Sequence, residues 1–180
     1  MTELGLLGPE NTFHDIARQQ FLPHLSYRFY NNFNDIFKAL KAKEIEKALI
    51  ATENNASGLV GDNLVRIKSI GCSITESFQL SIHLCLGSIK PITLERIKKI
   101  YSHPMAIKET QNFFRKYSHI TFIASTSTAG AIQELKNNKD QYAAVIASKE
   151  AMEKDDLLIL SQNIENYSDN KTTFALVENA

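Results

Sequence analysis

The sequence predicts an α/β protein built as two lobes. Short apolar, β-prone segments alternate with amphipathic stretches of helical period, in two separate runs. One long extended stretch, Ser73 to Gly87, joins the two runs. The composition agrees: at 43% hydrophobic and 22% charged, the 180 residues can bury a sizeable core.

The elements follow in order. "ELGLL" (3–7) reads as a strand and residues 12–21 as a helix. "SYRFY" (26–30) is a strand. "FNDIFKALKA" (33–42) is a helix, because Phe33, Ile36, Phe37 and Leu40 share one face. "KALIAT" (47–52) is a strand ending in the loop "ENNASG". After the long extended stretch come a strand at 97–102, a helix at 104–117, a strand at 119–124 and a helix at 127–137. A strand at 142–147, a short helix at 148–154, and strands at 157–161 and 172–177 complete the chain. Strands alternating with helices predict largely parallel sheets. The expected lobes are residues 1–78 with 165–180, and residues 79–164. Two strands cross between them and leave a cleft beside a hinge, where ligands bind.

Several function classes are excluded or disfavoured. Lys+Arg and Asp+Glu number 20 each, so no general attraction to nucleic acid or anionic membrane is expected. No apolar run approaches the roughly 18 residues that span a bilayer. The start, "MTELGLLGPENTF", lacks a basic segment followed by a long apolar one, so no signal peptide is expected and the location predicted is cytoplasmic. Cys72 and Cys85 have no metal-ligand spacing and read as reduced residues. His14, His24, His83 and His119 have none either and read as surface or core residues.

Three strand-to-helix junctions share a chemistry: "LLGPENTFHDIA", "IYSHPMAIKET" and "IASTSTAGAIQEL". In parallel α/β sheets such junctions lie at the carboxyl ends of the strands, where ligands bind. Free N–H groups and the positive end of the helix dipole favour anions there. Ser102 and Ser127, each taken alone, read as helix N-caps before they read as ligand contacts. Three such ends would suit a small polyanion.

Taken in order, the motifs resemble prephenate dehydratases. "LGPENTF" is similar to that family's glycine-proline-x-glycine-threonine-phenylalanine opening. "ATENNASGLV" resembles its proline-x-glutamate-asparagine-serine loop. "ESFQLSIHLCL" resembles its lobe-crossing strand, and "YSHPMAI" its serine-histidine-proline-glutamine motif. "STSTAGA" resembles its serine-threonine-alanine helix start, and "NKTTFALV" its threonine-arginine-phenylalanine strand. The resemblance implies a two-lobed fold like the type 2 periplasmic binding proteins. It implies conversion of prephenate to phenylpyruvate, with loss of water and carbon dioxide, in phenylalanine biosynthesis. It implies no metal or organic cofactor, and a homodimer or tetramer. The phenylalanine-binding ACT domain of many members has no counterpart in this sequence.

By the same resemblance Thr172, Glu53 and Asn54 are the catalytic candidates, with Thr172 as the proton or hydrogen-bond donor to the leaving hydroxyl. Asn11, Thr12, Asn55, Ser102, His103, Ser127, Thr128, Lys171, Thr173 and Phe174 are the substrate-binding candidates. The departures are Thr173 for the family's arginine, Asn11 for a glycine, Asn55 for a serine, Ala51 for a proline and Met105 for a glutamine. Lys171 shares a strand face with Thr173 and either supplies part of the missing charge or is a solvated loop lysine. His103 is either a ligand contact or a structural hydrogen-bonding group. A catalytically weak paralogue, or a decarboxylase-like enzyme on a related acid, is the alternative function. A solute-binding protein of similar fold is a further one.

Overall fold

The computed structural model describes residues 3–179. In chain order the elements are β1 (Glu3–Leu7), α1 (Phe13–Phe21), β2 (Ser26–Tyr30), α2 (Phe33–Lys41), β3 (Lys47–Asn54), β4 (Gly58–Leu59), α3 (Asn63–Ser69), β5 (Cys72–Ser81) and β6 (Cys85–Ser88). A 3₁₀ turn at Leu94–Arg96 precedes β7 (Lys99–Ser102), α4 (Pro104–Glu109), α5 (Gln111–Phe114), β8 (Thr121–Ala124), α6 (Thr128–Asn138), β9 (Ala143–Ala147), α7 (Lys149–Lys154), β10 (Leu158–Ser161) and β11 (Lys171–Asn179). The chain divides into two compact units, residues 1–81 with 171–180, and residues 82–170.

The first unit holds a sheet of order β2-β1-β3-β11-β5, with β4 paired to β3. β1 is parallel to β2 and β3, whereas β11 runs antiparallel to both β3 and β5. Ile36, Phe37 and Leu40 of α2 and Ile67 of α3 pack with Ala48, Ile50, Ala175 and Val177 of the central strands. The helix starts are fixed by side-chain caps. Thr12 accepts from Asp15 N, and Asn32 accepts from Asp35 N.

The second unit repeats the plan, with order β10-β6-β9-β7-β8. β7 is parallel to β8 and β9, and β6 is antiparallel to β9 and β10. Its core gathers Ile132 and Leu135 of α6, Tyr101, Val145 and Met152. The segment before β11 is held to α4: Asn170 donates to Glu109 Oε2 at 3.0 Å, and Asn166 donates to Lys108 O at 3.1 Å.

Four expectations need correction. The sheets are mixed rather than largely parallel, because the outgoing β5 and the returning β11 are adjacent and opposed. A hydrophobic pattern of period two carries no information about strand direction. The stretch 73–87 is two strands, interrupted at residues 82–84. The helix expected at 104–117 breaks at Thr110, whose hydroxyl bonds to Ala106 O and Ile107 O. Finally, α3 escapes a pattern search because one of its two buried residues is the polar Asn63, while its apolar Val65 is 69% exposed.

Tyr30 packs against the first unit's core, and its hydroxyl is the one buried side-chain polar atom among the described residues that lacks a partner. An unpaired hydroxyl in apolar surroundings costs free energy that a phenyl ring does not. Tyr30→Phe is therefore expected to stabilise the chain by about 1 kcal/mol, read as a higher urea midpoint at unchanged slope. A loss of stability would show that the hydroxyl has a partner.

Candidate active site

The catalytic candidates meet where β3 ends and β11 begins. Ladder register sets Thr172 opposite Asn54 and Thr173 opposite Glu53, then jumps so that Phe174 faces Ala51. Thr52 is the extra residue of this β-bulge, and its hydroxyl donates to Thr173 O at 3.2 Å. Directly opposed residues of an antiparallel pair share a face. Asn54 and Thr172 therefore lie on one face, while Glu53, Thr173 and Lys171 lie on the other.

Asn54 is buried and its carboxamide has a fixed orientation. Its Oδ1 accepts from Ala56 N at 2.8 Å, Ser57 N at 2.9 Å and Ser57 Oγ at 3.0 Å. Backbone N–H groups can only donate, so this atom must be the oxygen. The Nδ2 group is then obliged to donate to Thr172 Oγ, at 3.1 Å. A lone pair of the threonine is thereby taken, and its own hydrogen is left for another acceptor. The loop closes through Gly58, whose φ of +87° suits a residue without Cβ.

Asn55 latches the neighbouring residue. Its side chain accepts from Lys171 N at 2.8 Å, and its backbone N donates to Lys171 O at 3.0 Å. The loop thus grips β11 at two successive positions. Glu53, by contrast, is exposed and stands across from Thr173, on the face opposite to the Asn54–Thr172 pair.

Other candidates serve the frame. Asn11 has φ +63°, a left-handed conformation that asparagine tolerates better than most residues, and its N donates to Asp15 Oδ2 at 3.0 Å. Thr12 uses its hydroxyl twice, accepting from Asp15 N and donating to Leu7 O at 3.0 Å. Phe174 is fully buried and meets the His14 ring edge-on at 4.9 Å.

In the second unit Ser102 is fully buried and donates to Ile146 O at 2.7 Å, locking β7 to β9. His103 is exposed and caps α4 by accepting from Met105 N; desolvation of its ring lowers its pKa. Ser127 caps α6 by accepting from Gly130 N at 2.8 Å, and the buried Thr128 is the first residue of that helix.

Sequence reasoning missed three supports. Ser57 follows Asn54 by three residues, the spacing of a side-chain-closed turn. His14 Nε2 accepts from Ala51 N at 3.2 Å, and Asn63 donates to Ala51 O at 2.9 Å, so two side chains satisfy the β3 backbone where β1 no longer pairs with it. Among the described residues no three His, Cys, Asp or Glu side chains are grouped to hold a metal ion. No helix among them is long and apolar enough to cross a membrane.

A prephenate dehydratase family model matches residues 4–180. The chain belongs to the prephenate dehydratase family. The prephenate dehydratase of Methanocaldococcus jannaschii is 30% identical over 94% of this chain and 62% of its own length. The crystal structure of an Arthrobacter aurescens prephenate dehydratase in complex with L-Phe is 23% identical, with a TM-score of 0.87 over 99% of this chain and 61% of that one. An arginine-specific periplasmic binding protein from Salmonella typhimurium is 14% identical, with a TM-score of 0.52 over 99% and 84%. These two structures share the fold, the two-lobed α/β class expected from sequence. The chain spans between about half and two thirds of the length of the curated relatives it matches.

His14 makes a pH-dependent prediction. Burial lowers its pKa from 6.5 to about 3, and the bond from Ala51 N requires the unprotonated Nε2. The unfolded chain therefore binds this proton first on acidification. The stability it contributes is complete above pH 6.5 and is lost as pH falls towards 3, by up to about 1.4 kcal/mol per pH unit. His14→Leu should remove that part of the acid dependence. At pH 7.5 it should cost about 1–3 kcal/mol, because Ala51 N loses its acceptor. Equal acid slopes for both proteins in urea titrations would refute this.

Proposed function

We propose that the chain converts prephenate to phenylpyruvate. Family membership supports the reaction class, and the relatives named prephenate dehydratase support the substrate. The observation that carries the reading is the Asn54–Thr172 bond, which leaves a threonine hydroxyl fixed as a donor.

The chemistry needs such a group. Prephenate is a dianion whose ring carries a hydroxyl opposite a quaternary carbon bearing a carboxylate. Loss of carbon dioxide breaks the bond to that carboxylate, and its electron pair enters the ring. The ring aromatises and the carbon–oxygen bond on the far side breaks. Hydroxide is a poor leaving group, so the departing oxygen must receive a hydrogen bond or a proton, which ends up in the released water. Aromatisation supplies the driving force. What remains for the enzyme is positioning and electrostatic stabilisation.

Thr172 is the proposed donor. A threonine hydroxyl is a weak acid, but the bond it accepts from Asn54 stabilises negative charge growing on its oxygen. Asn54 therefore acts on Thr172 rather than on the substrate. Glu53, on the opposite strand face, is kept here as a candidate for orienting the charged side chains of that face.

Purified chain incubated with prephenate is expected to yield phenylpyruvate, followed by its absorbance in alkali. Thr172→Val keeps the branched shape and removes the donor. It should lower kcat by a factor on the order of 10² or more. It should leave the fold intact, at a cost of about 1–3 kcal/mol for the stranded Asn54 amide. An inactive wild type would overturn the proposal, and a fully active valine variant would remove Thr172 from it.

Thr173 is the departure that bears on the substrate's charge. In Thr173→Arg the guanidinium stands across the ladder from the exposed Glu53, so no lone charge is buried. A hydrogen bond from it to a substrate carboxylate contributes about 1.5–3 kcal/mol, or roughly tenfold or more in kcat/KM. Lys171→Ala should weaken the native chain more than the Thr173→Arg variant, because the two positions share a face. Additive effects of the two substitutions would argue against a shared role.

A further inference from the structure

Ser57 lies within the "ATENNASGLV" motif but not among its candidate residues, yet its hydroxyl begins a hydrogen-bond chain that ends at Thr172. Its hydroxyl donates to Asn54 Oδ1 at 3.0 Å, and Asn54 Nδ2 donates to Thr172 Oγ at 3.1 Å. Each donor in this line points the same way, towards the threonine. Hydrogen bonds aligned head to tail polarise one another. A donor on the amide oxygen draws electron density from the amide nitrogen and makes its N–H a stronger donor.

We infer that Ser57 is a positioning residue for the reaction, acting through Asn54 to fix and polarise the Thr172 hydroxyl. The inference rests on the reading of Thr172 as the donor. Two backbone N–H groups already hold Asn54 Oδ1, so the turn does not depend on Ser57 for its shape. The serine hydroxyl is a third donor on the same oxygen. Its surplus to the needs of the turn separates this role from a merely structural one. Ser57 is half-buried and its side chain belongs to a loop, so its removal leaves no core cavity.

Two measurements on the 180-residue chain test this: steady-state kinetics with prephenate, and NMR of the Asn54 side-chain amide protons. Ser57→Ala should lower kcat about three- to tenfold, the worth of one neutral hydrogen bond, with KM and melting temperature unchanged. It should also speed solvent exchange of the Asn54 amide protons and shift their resonances upfield. Ser57→Thr, which keeps the hydroxyl, should restore kcat and the amide signals together. In a Thr172→Ala background, Ser57→Ala should cause no further loss, because the chain it feeds has no end. A kcat unchanged in Ser57→Ala would overturn the inference, as would a fall in kcat that persists in the Thr172→Ala background. If the wild type does not turn over prephenate, the reaction assignment fails on its own. The amide signals then decide the link: Asn54 resonances and exchange unmoved by Ser57→Ala overturn it.

Discussion

The carboxamide of Asn54 is the constraint on which the site depends. Two backbone N–H groups from its own loop hold the oxygen, and this turns the nitrogen towards Thr172, to whose Oγ it donates at 3.1 Å. The residue therefore does two things with one group. It closes the turn that ends β3, and it determines which lone pair of the threonine is occupied. Aspartate would satisfy the same loop donors but would offer the threonine no hydrogen. Leucine would leave the half-buried N–H groups of Ala56 and Ser57 without their acceptor. Only an amide meets both requirements at this position.

The bulge at Thr52 makes the arrangement possible. Without the extra residue, the alternation of β3 would bring the pair at positions 53 and 172 into register and set a carboxylate opposite the threonine. With it, Asn54 and Thr172 face each other above the buried Phe174, while Glu53 turns to the other side with Thr173. Ladder hydrogen bonds are incomplete at such a site. Here His14 and Asn63 take the two polar groups of Ala51, and Val60 N bonds to Thr52 O. Ala51 and the Thr52 carbonyl are thus satisfied by His14 of α1, Asn63 of α3 and Val60 N.

Much of the fold was legible in the sequence because its core elements obey a single period. Ile36, Phe37 and Leu40 repeat as a helix face, and "AAVIA" reads as a buried strand. The alternation of elements and the spacing of motifs led to the right family. What stayed hidden is what local pattern does not encode. The direction of β11 is decided by the path of the whole chain. α3 presents a polar residue inward, so it has no apolar stripe. The bulge that pairs Glu53 with Thr173 and Asn54 with Thr172 was equally hidden, because a register shift leaves no mark in the local pattern. Ser57 was overlooked because its importance lies in a hydrogen bond, and a serine beside a glycine reads as ordinary loop.

The departures from the family pattern divide into two kinds. Asn11 stands where the resemblance has glycine, in a left-handed conformation that asparagine accepts, with its N–H held by Asp15. Ala51 stands where it has proline, and the N–H that alanine adds is met by His14. Asn55 stands where it has serine, and its longer side chain latches Lys171 N. Each of these three is answered by a partner a short distance away, so the local geometry around Thr172 is kept. The bond from Ala51 N to His14 is one that proline could not make, whereas the bond from Asn11 N to Asp15 is one that glycine would make as well. Thr173 is of the other kind. It removes a fixed positive charge from the face shared with Lys171 and Glu53, and no neighbour replaces a planar guanidinium with another one. Lys171, half-buried at the start of β11, carries its charge on the same strand face as Thr173. The hydrogen-bonded frame around Thr172 is thus built from this chain's own side chains, while the opposite strand face, with Thr173 in place of an arginine, carries less fixed charge.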